Sequence, residues 1–127
     1  MTKANLLLKK AMMLILATGL MFFASCKKEK DEPKTGNMIF YTLINNTEFD
    51  EIEIFVDGKS RGKITLSHIE RPDCGTASSI NVISVKLPAG VHSWYAKQYK
   101  GGVYIDGWDE RDETIVAGKC EFIKLTE

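Results

Sequence analysis

The stretch Glu51-Ile52-Glu53-Ile54-Phe55-Val56-Asp57-Gly58-Lys59-Ser60-Arg61-Gly62-Lys63-Ile64 decides the fold. Ile52, Ile54 and Val56 alternate with Glu51, Glu53 and Phe55, the period of a strand with one buried face. Asp57-Gly58 follows at once, and a two-residue hairpin turn needs positive φ at both central positions. Glycine takes that conformation freely and aspartate tolerates it. The segment is read as a β-hairpin whose return strand spans 62–66.

The same grammar continues on both sides. Residues 38–44 are rich in β-branched and aromatic side chains and stop at the turn signal Asn45-Asn46. Residues 80–87 form a further strand, stopped by Pro88-Ala89-Gly90, and 91–99 the next, turned by Lys100-Gly101-Gly102. Weaker strands are read at 103–106 and 113–116, and 119–126 closes the chain. No segment of this region carries a helical period. Short strands at regular spacing make the expected class all-β: one small β-sandwich of about seven strands. The expected inward set is Phe40, Ile52, Ile54, Val56, Ile64, Val82, Val85, Trp94, Ala96 and Phe122. The strand at 80–87 is ambiguous. Ile80 and Val82 fall on one face and Ile83, Val85 and Leu87 on the other, which a bulge or burial on both faces would explain.

The first quarter of the chain has a different character. Lys3, Lys9 and Lys10 precede an apolar run at 11–24, and no acidic residue occurs before Glu29. A basic front, a short apolar stretch and small residues at its end make a secretory signal. The run is shorter than the ~20 residues that span a bilayer as a helix. Its end, Phe23-Ala24-Ser25-Cys26, resembles a bacterial lipobox. The resemblance implies a diacylglycerol on the Cys26 thiol, cleavage before Cys26 and acylation of the new amino group. Phe23 stands where such motifs more often have Leu. Each buried methylene contributes ~0.8 kcal/mol, so several chains would hold the protein at a membrane essentially permanently.

Lys27-Lys28-Glu29-Lys30-Asp31-Glu32-Pro33-Lys34-Thr35-Gly36 has no large apolar residue and reads as a disordered, extended tether. Its mixed, partly acidic character is similar to the export signal of Bacteroidota-type surface lipoproteins, and equally to a plain solvated spacer. The expected organisation is a leader at 1–25, lipidated Cys26 and tether at 26–37, and a domain at 38–127. The expected place is the outer membrane, facing the periplasm or the cell surface. Three of the 17 basic residues lie in the leader, leaving 14 basic against 17 acidic groups. A net acidic, exported chain argues against a nucleic-acid partner. The partners expected are membrane lipid, through acylated Cys26, and an envelope protein or a glycan.

With Cys26 taken by lipid, Cys74 and Cys120 remain. In an oxidising compartment a disulfide between them is the default. The rivals are a metal site or a catalytic thiol, but neither cysteine has a partner at CxxC spacing and no HExxH occurs.

The unit Ile54-Phe55-Val56-Asp57-Gly58-Lys59 with Gly62-Lys63-Ile64, and later Leu87-Pro88-Ala89-Gly90-Val91-His92-Ser93-Trp94, resembles a PEGA-type, transthyretin-like module. The resemblance spans 51–100, and the insertion at 67–79 departs from it. It implies an envelope β-sandwich without catalytic residues, serving adhesion or attachment.

Candidate chemistry is sparse. His92 shares a strand face with Trp94 and Ala96 and reads as a core or rim histidine. Ser67, His68 and Asp73 form a triad only on paper, because triad members converge from separate elements. No nucleophile–base pair is legible, so the chain is not expected to be an enzyme, and no cofactor is expected. Asp106-Gly107-Trp108-Asp109-Glu110-Arg111-Asp112-Glu113 packs five carboxylates around one Trp. It reads first as a solvated hairpin tip. Its alternative is a glycan- or Ca²⁺-binding segment using Tyr104, Trp108, Asp109 and Asp112, although EF-hand spacing is absent and Arg111 would oppose a cation. The leading expectation is a membrane-anchored, non-catalytic binding module with an unidentified ligand.

Overall fold

The computed structural model describes residues 34–127. The leader, Cys26 and the tether up to residue 33 lie outside the described residues. The described part is all-β, with seven strands in two sheets. They are β1 (Thr35–Thr42), β2 (Glu51–Val56), β3 (Lys59–Ile64), β4 (Ile83–Pro88), β5 (Gly90–Lys100), β6 (Val103–Ile115) and β7 (Cys120–Leu125). One sheet has the order β4-β1-β7 and the other β3-β2-β5-β6. All neighbours are antiparallel except β1 and β7, which run parallel.

The hairpin forms as its sequence dictates. Asp57 (φ 52°) and Gly58 (φ 77°) both occupy the left-handed region. That turn twists the same way as the flanking strands, so pairing resumes at once, Val56 opposite Lys59. β3 therefore begins three residues before the expected 62. A bulge then places Gly62 opposite Ile54, with Gly62 at φ 130°.

The core is made by alternation. Ile52, Ile54 and Val56 of β2 are fully buried, as are Met38 and Phe40 of β1. Ile83, Val85 and Leu87 of β4, Ile123 and Leu125 of β7, and Trp94 and Ala96 of β5 complete it. Phe40 meets Trp94 edge to face across the two sheets, ring centroids 5.4 Å apart. Such a pair contributes about 0.5–1.5 kcal/mol beyond its buried area. Two polar side chains of this interior are paired: Thr42 Oγ1 donates to Leu125 O and accepts from Ile44 N, and Gln98 Nε2 donates to Glu48 O.

Four expectations need correction. Phe122 is not in the core, because the register places Ile123 and Leu125 inward. Phe122 instead lies under the Arg71 guanidinium, 4.4 Å from its centroid, on the opposite face. The 80–87 strand starts only at Ile83; a small turn closed by Ser79 N donating to Val82 O precedes it and leaves Ile80 exposed. Residues 106–113 are not a hairpin tip but the interior of the 13-residue β6. Finally, Thr35, Gly36 and Asn37, assigned to the tether, belong to β1, opposite Pro88, Leu87 and Lys86.

The two outer faces differ. Ile39 and Tyr41 point away from the core yet are buried. Residues 65–82 make a strap over that face. His68 N donates to Thr42 O, Arg71 sits on Phe122, and Cys74 is bonded to Cys120. Pro72 and Val82 are buried with it. The outer face of the four-stranded sheet has no such cover. It carries Phe55 stacked on Tyr95, centroids 4.5 Å apart, and Lys63 paired with Glu51 at 3.0 Å.

A candidate binding cleft between the sheet edges

β6 and β7 are the edge strands on one side of the sandwich, and a cleft of about 470 Å³ opens between them. Its geometry begins with two irregularities in β6. Ala96 pairs with Trp108 but Trp94 with Arg111, so β6 spends an extra residue there. Gln98 pairs with Asp106 but Tyr99 with Tyr104, a second extra residue. Bulges of this kind shift which side chains face inward. Asp106, Trp108, Arg111 and Glu113 all end opposite the core-facing row of β5. At an edge that row has no third layer above it, and it becomes one wall of the cleft. Residues 122–124 of β7 with Thr126 and Glu127 border the other side, where Ile123 faces inward while Phe122 and Lys124 share the outward row of Ile39 and Tyr41, and Trp94 lies at the floor.

The cleft is closed at one end. Trp108 Nε1 donates to Thr126 O at 3.0 Å, joining β6 to the chain end beyond β7. Its floor is electrically unusual. Trp94 is 2 % exposed, and its indole N–H has no hydrogen-bond partner, the one such buried side-chain group among the described residues. A buried donor left unmade costs about 1–3 kcal/mol. The Arg111 guanidinium lies over the same ring, 5.2 Å from its centroid. Among the described residues Arg111 makes no ion pair, although five carboxylates share its strand. Asp112 points to the other face, and Asp106 and Glu113 share the row of Arg111 without reaching ion-pair distance.

The four residues singled out in the sequence do not converge. Trp108 lines the cleft. Tyr104 turns to the outer face, edge to face with Tyr99 at 6.1 Å, its hydroxyl packed where Gly107 lacks a side chain. Asp112 pairs with Ser93 on that outer face, and Asp109 occupies the bulge, both exposed. Among the described residues no group of three or more His, Cys, Asp or Glu is placed to hold a metal ion. Ser67, His68 and Asp73 form no relay: His68 Nδ1 accepts from Glu70 N, and Ser67 N donates to Asn46 Oδ1.

His92 is a rim histidine tied at both nitrogens, Nδ1 to Asp57 Oδ2 at 2.6 Å and Nε2 to Pro88 O at 2.7 Å. Hydrogen bonding to Asp57, then to the Pro88 carbonyl, raises its pKa above the ordinary 6.5. The same bond to His92 holds Asp57 below the ordinary 3.8, against the opposing effect of burial. The pair fastens the 57–58 turn to the turn after β4.

No protein-family model, curated protein or solved structure matches the chain. The cleft is therefore argued from its own atoms. Of its parts, Trp94 reads in the sequence only as a core residue and Arg111 only as an obstacle to cation binding. Asp106 and Glu113 read as anonymous members of the acidic run, and Lys124 carries no signal at all.

Proposed function

We propose that this chain is a lipid-anchored, non-catalytic binding module of the bacterial envelope whose ligand seat is the β6–β7 cleft. The observation that carries the ligand seat is the cleft itself, floored by Trp94, whose buried N–H has no partner and whose ring the Arg111 guanidinium covers. A buried donor without a partner calls for an explanation, and an acceptor carried by a ligand is the one proposed. Its volume falls within the ~300–1,000 Å³ usual for small-molecule pockets.

Support for the anchor comes from the basic, apolar and lipobox-like order of 1–26. Chain direction is compatible with it. The tether enters at Thr35, where Gly118 N donates to Thr35 O and Ala89 N to Lys34 O. β1 then runs its full length before Thr42 meets Leu125, so Thr126 and the closed end of the cleft lie at the opposite pole. At about 3.3 Å per residue the eight residues of β1 separate the two poles by roughly 25 Å. A module held by that entry pole would present the other away from the membrane.

Two measurements test the reading. Intact-mass analysis of the protein extracted from envelopes should show acylated Cys26 as the first residue, and Cys26→Ser protein should leave the membrane fraction. A melting-temperature screen with saccharides and short peptides should find a stabilising compound whose effect is lost in Trp108→Ala. A water-soluble, unacylated product would remove the anchor. A stabilising compound insensitive to Trp108 and Arg111 substitutions would remove the cleft.

A further inference from the structure

We propose that copies of this chain associate head to tail, the basic β3 edge of one set against the acidic β6 edge of the next. The join goes beyond the ligand reading and does not rest on it. β3 and β6 are the two edges of the four-stranded sheet, and neither has a strand beyond it. An uncovered edge presents unpaired backbone N–H and C=O groups to a chain that fits. The two edges carry opposite charge. β3 holds Lys59, Arg61 and Lys63 and no acid. β6 holds Asp106, Asp109, Glu110, Asp112 and Glu113 against Arg111 alone. Of these side chains only Glu113 is not exposed.

Direction and level agree as well. The strands of the sheet alternate in direction, so β3 and β6 run opposite ways, and β3 of a copy set beside β6 meets it antiparallel. Rows across the sheet put Ile64 level with Asp106, through Ile52 and Gln98. They put Lys59 level with Arg111, through Val56 and Trp94. A copy set alongside at the same level therefore brings Arg61 and Lys63 to the stretch that holds Asp106, Asp109 and Glu110. Like edges repel, since β6 on β6 sets acid against acid and β3 on β3 sets base against base. The bulges of β6 keep an arbitrary strand from laying down an unbroken ladder, so charge selects the partner. A basic peptide would answer β6 alone, whereas a second copy answers both edges. Because the contact joins two different edges, each added copy leaves one of each kind free, and association continues past the dimer.

The test uses residues 27–127, which contain both sheets, their core and the disulfide. In sedimentation equilibrium at low salt the average mass should rise with concentration beyond that of a dimer. Raising salt to about 0.5 M should weaken association at least about tenfold. Lys59→Glu with Arg61→Glu should be monomeric, and so should Asp109→Lys with Glu110→Lys and Asp112→Lys. An equimolar mixture of the two variants should associate again, because each then supplies the charge the other lacks. Melting temperatures check that both fold. Arg61→Gln and Glu110→Gln are milder replacements, each expected to weaken association severalfold. A protein that stays monomeric at low salt would overturn the join, and binding of a capped tetralysine by that monomer would make β6 a seat for a basic partner instead. Mass that levels at the dimer would overturn the head-to-tail contact. Association unchanged in both charge variants would overturn the assigned edges, and a mixture that stays monomeric would overturn their pairing by charge.

Discussion

His92 shows how much one residue can be made to decide. A carbonyl oxygen can only accept, so the Pro88 O contact requires a proton on Nε2, and the Asp57 carboxylate favours another on Nδ1. The geometry therefore holds an imidazolium. Arg61 opposes it weakly, and Glu113, its cross-strand partner, faces it from β6. Because the His92 pKa is raised in the fold, its contribution is complete below about 6.5 and is lost as pH rises through the higher folded value. Asp57 is the converse: its contribution is present above about 3.8 and is lost as pH falls through the lower folded value. For a pair at the solvent rim the sum is at most about 1 kcal/mol. Between pH 6 and 9 the native protein should lose more melting temperature than His92→Gln, and the two curves should converge on the alkaline side. Parallel curves measured by calorimetry would remove the clamp. Gly36 is a second decisive position. A Cβ there would lie 2.9 Å from Lys119 O, 2.8 Å from Ile115 Cγ2 and closer still to Val116 O. Backbone atoms cannot yield as a flexible side chain can, so Gly36→Ala should destabilise by about 1–3 kcal/mol in urea unfolding, with an unchanged m-value.

At the scale of the element, β6 and the strap are the two parts that alternation alone does not describe. β6 is an edge strand of 13 residues, long enough to pair with another chain. Its two bulges and its charges from Asp106 to Glu113 discourage that, and the same bulges aim Arg111 and Trp108 into the cleft. The acidic run thus belongs to a strand because an edge is solvated, whereas a central strand could not carry it. The strap contains no strand and is held over Ile39 and Tyr41 by a few bonds and one disulfide. With its ends 46 positions apart in sequence, the Cys74–Cys120 bond contributes about 4 kcal/mol in the chain-entropy model. The double substitution Cys74→Ser with Cys120→Ser should lower unfolding free energy by up to that amount. It should also open residues 65–82 to proteolysis first, while the hairpin of β2 and β3 stays protected. Cleavage beginning in β2 or β3 would show that the strap is not the weakly held layer.

For the molecule as a whole, one outer face is strapped, the other is open, and the gap between the sheets is left accessible along β6 and β7. Sequence alone determined what depends on neighbours along the chain. It fixed the strand period at 51–56, the positive-φ turn at Asp57-Gly58, the all-β class and the inward placement of Ile52, Ile54, Val56, Trp94 and Ala96. Each of these follows from a two-residue alternation or from one turn's dihedral angles, and no distant residue can reverse it. It also offered Cys74 and Cys120 as a pair, and they are bonded. Only the tertiary structure decided that β1 lies between β4 and β7, parallel to the latter, because pairing partners far apart in sequence are chosen by packing. The same holds for the inward choice of Ile123 over Phe122, which depends on the register of β7 against β1. The cleft was beyond reach for that reason too. Its lining comes from three strands in two sheets, and only the packing of the sheets and the bulges of β6 bring Trp94, Trp108 and Arg111 together.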